Sequence, residues 1–245
     1  MKIILFILFI HTTASAFTLI YSNGWEDPTL TFHLNPAGCR PETATLIQES
    51  MDLWNSIPNS ELKLLLRTLS TATPAQAVSG TASESAVIVC DPAFGTTFPG
   101  VDPDGAIGVG GAYPNSAGRL TLGFVVLNVE SGTIANFNNL NTTLAKVALA
   151  HEIGHALGIG HSTDTAALMN YSTGSKQNFS LAEDDVNAIN YLYGRDELSS
   201  DEAFGGCARV HTLPPSFPTH RLLIVSFLLL LVLTLWSRLR NLNRT

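Results

Sequence analysis

The chain has 245 residues, of which 45% are hydrophobic, a formal net charge of -7 and a pI of about 5.4. That length allows one or two domains, and an acidic chain with no basic cluster in its middle is a poor match for nucleic acid, so no such partner is expected. The positive mean hydropathy of +0.22 reflects two apolar ends as well as a core.

Met1-Lys2, the apolar run 3–10 and Ala14-Ser15-Ala16 form the basic start, short greasy stretch and small-residue cleavage site of a secretory signal peptide. Residues 1–16 are therefore expected to be removed on export. Thr29 to Leu34 alternates in strand fashion and is followed by the turn Asn35-Pro36-Ala37-Gly38. A helix follows: Pro41 and Glu42 suit its first turn, and Leu46, Ile47, Met51 and Trp54 share one face as core residues. Pro58-Asn59 ends it. The apolar run Leu62 to Leu69 fits a strand or a short helix by periodicity alone. Ser70 to Ser85 reads as a surface loop and Ala86 to Cys90 as a buried strand.

Asp91 to Gly118 is rich in glycine and proline and contains Asp102-Pro103-Asp104-Gly105. Asp102 and Asp104 are candidate calcium ligands, while an Asp-Pro-Asp-Gly turn accounts for the same residues. Leu120 to Asn128 is the most strand-like run in the chain. Asn141-Thr142-Thr143 supplies the cap of a helix and is also an N-glycosylation sequon. On that helix Val147, Ala150, Ile153 and Leu157 are expected to face the sheet.

The helix carries His151-Glu152-Ile153-Gly154-His155, followed by Ala156-Leu157-Gly158-Ile159-Gly160-His161. Histidines four apart project from one helix face within reach of a single ion, with Glu152 beside them as candidate general base. A third ligand six residues on requires the chain to turn sharply, and Gly158 supplies the left-handed conformation for it. His151, His155 and His161 are thus the candidate ligands of one catalytic zinc. Met169 follows eight residues later, in Ala167-Leu168-Met169-Asn170-Tyr171. The last helix is expected to open with Ser180-Leu181-Ala182-Glu183 as a capping box and to end at Gly194.

Beyond Gly194 the composition changes. Residues 195–221 read as a linker, 222–237 as an apolar transmembrane or sorting segment, and 238–245 as a basic tail expected on the cytoplasmic side. Cys39 and Cys90 are a candidate disulfide, with two free buried thiols as the alternative, and Cys207 is left over as a processing or anchoring site.

The zinc motif, the Met169 turn and the run Leu181-Ala182-Glu183-Asp184-Asp185 to Leu192-Tyr193-Gly194 resemble the metzincin metalloproteases, and within them the matrixins. The resemblance covers residues 17–194. It implies an α/β (α+β) zincin-like domain with a twisted mixed sheet of about five strands and three helices, and it favours a strand at 62–69. It makes Leu120 to Asn128 similar to the edge strand that pairs with an extended substrate, Met169 the apolar floor of the site, and Asp184 and Asp185 buttresses behind it. First-turn carboxylates that only stabilise the last helix are the alternative for that pair. Matrixins also hold calcium and a second, structural zinc in the stretch matching 91–118. No histidine occurs between His33 and His151, so no second zinc is expected. Met169-Asn170-Tyr171 departs from the matrixin pattern and is similar to the astacin and serralysin branches, which makes Tyr171 a candidate transition-state stabiliser or a wall of the specificity pocket. The short span before the first strand predicts no propeptide.

The function implied is an exported zinc endopeptidase, monomeric, acting on protein or peptide substrates outside the cell or at its surface. It would be anchored through the C-terminal segment or released by processing there. A surface-displayed zinc-containing binding or adhesion module with little proteolytic activity is the alternative.

Overall fold

The computed structural model describes residues 17–172, 176 and 178–195. The expected signal peptide, the linker beyond Arg195, the transmembrane or sorting segment, the basic tail and Cys207 lie outside the described residues. Among the described residues no helix is long and apolar enough to cross a membrane.

Five strands form one mixed sheet: β1 (Thr29–Asn35), β2 (Lys63–Arg67), β3 (Ala86–Asp91), β4 (Gly108–Pro114) and β5 (Leu120–Asn128), in the order β2-β1-β3-β5-β4. β2, β1, β3 and β5 run parallel, and β4 pairs antiparallel with β5. The helices are α1 (Thr43–Asn55), α2 (Pro74–Ser79), α3 (Phe94–Thr97), α4 (Thr142–Ala156) and α5 (Glu183–Tyr193). Crossover helices cover parallel strands on both faces. Every residue of β3 is accordingly buried.

One face of the sheet carries the main core, in which α1 and α4 pack together. Met51 and Trp54 of α1 are fully buried, and the Trp54 indole N–H donates to the Ala150 carbonyl of α4 at 2.9 Å. The opposite face holds a smaller cluster of Val87, Val89, Phe124 and Val126 under Phe94 of α3 and Ala77 of α2. Cys39 and Cys90 form a disulfide, with Cα atoms 5.4 Å apart, tying the turn after β1 to β3.

Three expectations need correction. Residues 70–85 are not all loop, because α2 forms there: Pro74 opens it, the Thr73 side chain accepts from the Gln76 N–H, Gln76 returns the bond to the Thr73 N–H, and Gly80 ends it with a φ of 65°. Together with α3, it raises the helix number above three. The edge strand is not β5, which lies inside the sheet, but β4, within a stretch whose glycines and prolines favour loop. Ser180 is not the cap of α5: Ala182 occupies that position, its N–H donating to the Asp185 carboxylate at 2.8 Å.

The Cys39–Cys90 bond closes a loop with a sequence separation of 51 residues. Replacing both cysteines with serine is expected to cost about 2 to 4 kcal/mol by restoring freedom to the unfolded chain. Denaturant unfolding with and without reductant measures this; a double variant as stable as the parent would contradict it.

Candidate metal centre

α4 brings two of the three histidines together. Asn141 caps it, its side chain accepting the Leu144 N–H at 2.9 Å, and Val147, Ala150 and Ile153 are fully buried. The helix ends at Leu157, and Gly158, with φ of 96°, turns the chain back so that His161 returns to the same place. An L side chain at that φ would be strained. The ring centroids of His151, His155 and His161 lie 4.7, 5.3 and 4.8 Å apart, and one nitrogen from each lies within 4.8 Å of the others.

The tautomers follow from the partners. His151 Nδ1 lies 2.9 Å from the Leu168 carbonyl and His155 Nδ1 lies 2.8 Å from the Ile159 carbonyl. A carbonyl only accepts, so in each neutral ring Nδ1 carries the proton and Nε2 presents a lone pair. Those two Nε2 atoms face each other at 3.1 Å. Two lone pairs at that separation repel unless a cation lies between them, and ligand nitrogens of a tetrahedral ion with bonds of about 2.0 Å lie roughly 3.3 Å apart. The residues therefore fit zinc.

The surroundings keep the rings neutral. Burial pulls the His151 and His155 rings down to about 4, and burial also lowers His161. Burial pushes the Glu152 carboxyl up, opposed by His155 and by the Gly110 N–H, which donates to Glu152 Oε2 at 2.6 Å. Behind the histidines, the Asp185 carboxylate accepts from the N–H groups of Leu168, at 2.7 Å, and Met169, at 3.0 Å. It thereby fixes the Leu168 carbonyl that orients His151. Asp184 accepts the Ser162 hydroxyl, and Ser162 N–H donates to the Met169 carbonyl at 2.9 Å. Met169 is fully buried, its sulfur beside Gly154 of α4.

The three rings and Glu152 open into a cleft of about 540 Å³, also lined by residues 105–110, Ile20 and Tyr171. Tyr171 is 75% exposed, its ring 6.5 Å from that of His161. Asp102 and Asp104 do not join this group. Asp102 accepts the Asp104 N–H at 3.0 Å, as turn residues do, and Asp104 accepts the Ile134 N–H at 2.8 Å, tying its turn to the loop after β5. Sequence reasoning did not find Ile20, Gly108, Gly110 or the Leu168 and Ile159 carbonyls. The helical spacing of the histidines carries no information about which backbone groups meet their far sides.

The matrixin peptidase family model matches residues 98–194, the span that contains this centre. The chain carries a matrixin-like metzincin catalytic domain. It is 56% identical over 48 residues to matrix metalloproteinase-18 of Xenopus laevis, covering 19% of this chain and 10% of that protein. To human matrilysin it is 50% identical over 50 residues, covering 20% and 19%. A longer match, 28% identical over 180 residues, is to human matrix metalloproteinase-27 and covers 70% of this chain and 31% of that protein. The chain thus spans less than a third of the length of these relatives. In the matrixin-like domain His151, His155 and His161 would hold the zinc.

Metal affinity should follow from the ring protons. Only neutral imidazole ligates, so a lowered ring pKa extends binding toward acid. For His151 and His155, at about 4, proton competition is expected only as the pH falls toward that value. Because burial also lowers His161, a zinc competition titration against a chromophoric chelator from pH 7.5 to 4 should show release setting in below the ordinary imidazole range. An onset of release near the ordinary imidazole value of about 6.5 would contradict it.

Proposed function

We propose that the matrixin-like domain is an exported zinc endopeptidase, with His151, His155 and His161 as ligands and Glu152 as general base. The observation that carries this reading is the pair of imidazole lone pairs aimed at one point beside a carboxylate in an open cleft. Zinc held by the three histidines would supply a Lewis acid and would make a water more acidic. The Glu152 carboxylate takes the proton of the attacking water and delivers it to the leaving amine.

Alignment of the substrate falls to β4. Hydrogen-bonded pairs alternate along an antiparallel ladder, and the Asn128 N–H donates to the Ile107 carbonyl in the register that pairs Gly108 with Leu127. Residues 109, 111 and 113 therefore bond to β5, and the backbone of Gly108, Gly110 and Ala112 faces outward. An extended peptide adds there as a further strand. Tyr171, at the cleft mouth, donates its phenol to the tetrahedral intermediate or forms the pocket wall. The disulfide agrees with an oxidising compartment, which supports export, and residues 222–237 are the proposed anchor or sorting signal.

Glu152→Ala is expected to keep one zinc by elemental analysis and to lose cleavage of a mixed peptide library. Loss of the metal would give Glu152 a ligand role and sink the mechanism, as would unchanged cleavage. Tyr171→Phe removes only a hydroxyl. As an oxyanion donor it is worth about 2.7 to 4 kcal/mol, so kcat should fall with little change in KM; normal turnover assigns the residue to the wall.

A further inference from the structure

We infer that Gly108 and Gly110 form a side-chain-free socket in β4 that positions Glu152, an inference that rests on the reading of Glu152 as general base. The two glycines and Ala112 alternate with residues 109, 111 and 113, so on a strand they share the face turned toward α4. That face has no room for larger groups. A Cβ on Gly110 would overlap the Glu152 backbone oxygen and lie 2.7 Å from its carbonyl carbon. On Gly108 it would lie 3.2 Å from Glu152 Cγ and 3.0 Å from the Val126 oxygen. Backbone and side chain of Glu152 are thus both seated against bare strand.

The seat is also directional. The Gly110 N–H points out of the sheet edge and donates to Glu152 Oε2 at 2.6 Å. A charge-assisted bond of this kind restricts the carboxylate more than packing alone. The Gly110 N–H is then engaged by the enzyme, so the incoming peptide pairs with the remaining outward groups of Gly108 and Ala112 and with the Gly110 carbonyl. These glycines act through Glu152 and are positioning residues.

The contacts grade the test. Gly110→Ala meets backbone and is expected to force α4 and β4 apart. Gly108→Ala needs a shift of only a few tenths of an ångström, which falls partly on the Glu152 side chain. Gly111→Ala is the control: its Cβ points to the other face and meets the far end of the Phe124 ring at 2.8 Å. Gly108→Ala should fold, bind one zinc and keep its KM within about threefold, while kcat falls about 10- to 100-fold, as small misplacements of reacting groups do. Gly111→Ala should lose thermal stability and keep kcat.

The readout that needs no activity is the amide proton of Gly110 by NMR in zinc-free and zinc-loaded protein. It should lie downfield in the parent, remain so in Glu152→Gln, which keeps an acceptor, and move upfield in Glu152→Ala. A Gly110 amide indifferent to Glu152→Ala overturns the inference, as does wild-type kcat in Gly108→Ala. Should Gly108→Ala not fold, the amide shift decides alone. A parent protein that binds zinc and cleaves no peptide overturns the function above, while the amide shift still tests the socket.

Discussion

α4 is buried on almost every side and still has to present two imidazoles and a carboxylate to water. Ala145, Val147, Leu149, Ala150, Ile153 and Ala156 are fully enclosed by α1, the sheet and the chain around Met169. A helix so placed has no rotational freedom left, because turning it by one residue would put an imidazole into the core. The positions of His151 and His155 are consequences of apolar burial, which is non-directional, combined with a helical period that is fixed.

Burial has a second effect that opposes the first. Taking His151 and much of His155 out of water leaves polar ring nitrogens poorly solvated, and an unsatisfied buried polar group is costly. Each Nδ1 of His151 and His155 is satisfied by a backbone carbonyl, and those carbonyls belong to turns the protein has to hold still. Asp185 holds one of them through two N–H groups, and Tyr193 steadies the end of α4 by donating its hydroxyl to the Leu157 carbonyl. α5 therefore stabilises a metal site that it does not touch. The remaining Nε2 atoms face each other at 3.1 Å, and a zinc ion held there would relieve that repulsion, which would couple metal binding to the stability of the domain.

Much of this was legible in the chain. β1 and β5, the buried stripe of α1 and the Asn141 cap lie where period, turn residues and capping chemistry put them. The triad was readable because its spacing is local: four residues on a helix, then a glycine that turns the chain. α2 was also readable, since Thr73-Pro74-Ala75-Gln76 contains a reciprocal cap and Gly80 a stop; composition masked it, because the flanking Ser and Thr residues read as loop. β4 was not. Gly108, Gly110 and Gly111 carry no strand preference.

The sequence by itself determined that three histidines come together beside a glutamate and which helix displays two of them, because each depends on residues within one or two turns of one another. Only the tertiary structure decided that β4 and not β5 lies at the open edge, that Asp185 reaches the Leu168 and Met169 amides, and that Gly110 meets Glu152. These contacts join positions 16 to 42 residues apart. They arise from the distance between packed backbones, and a glycine in a sequence does not say which atom from elsewhere will occupy the space it leaves.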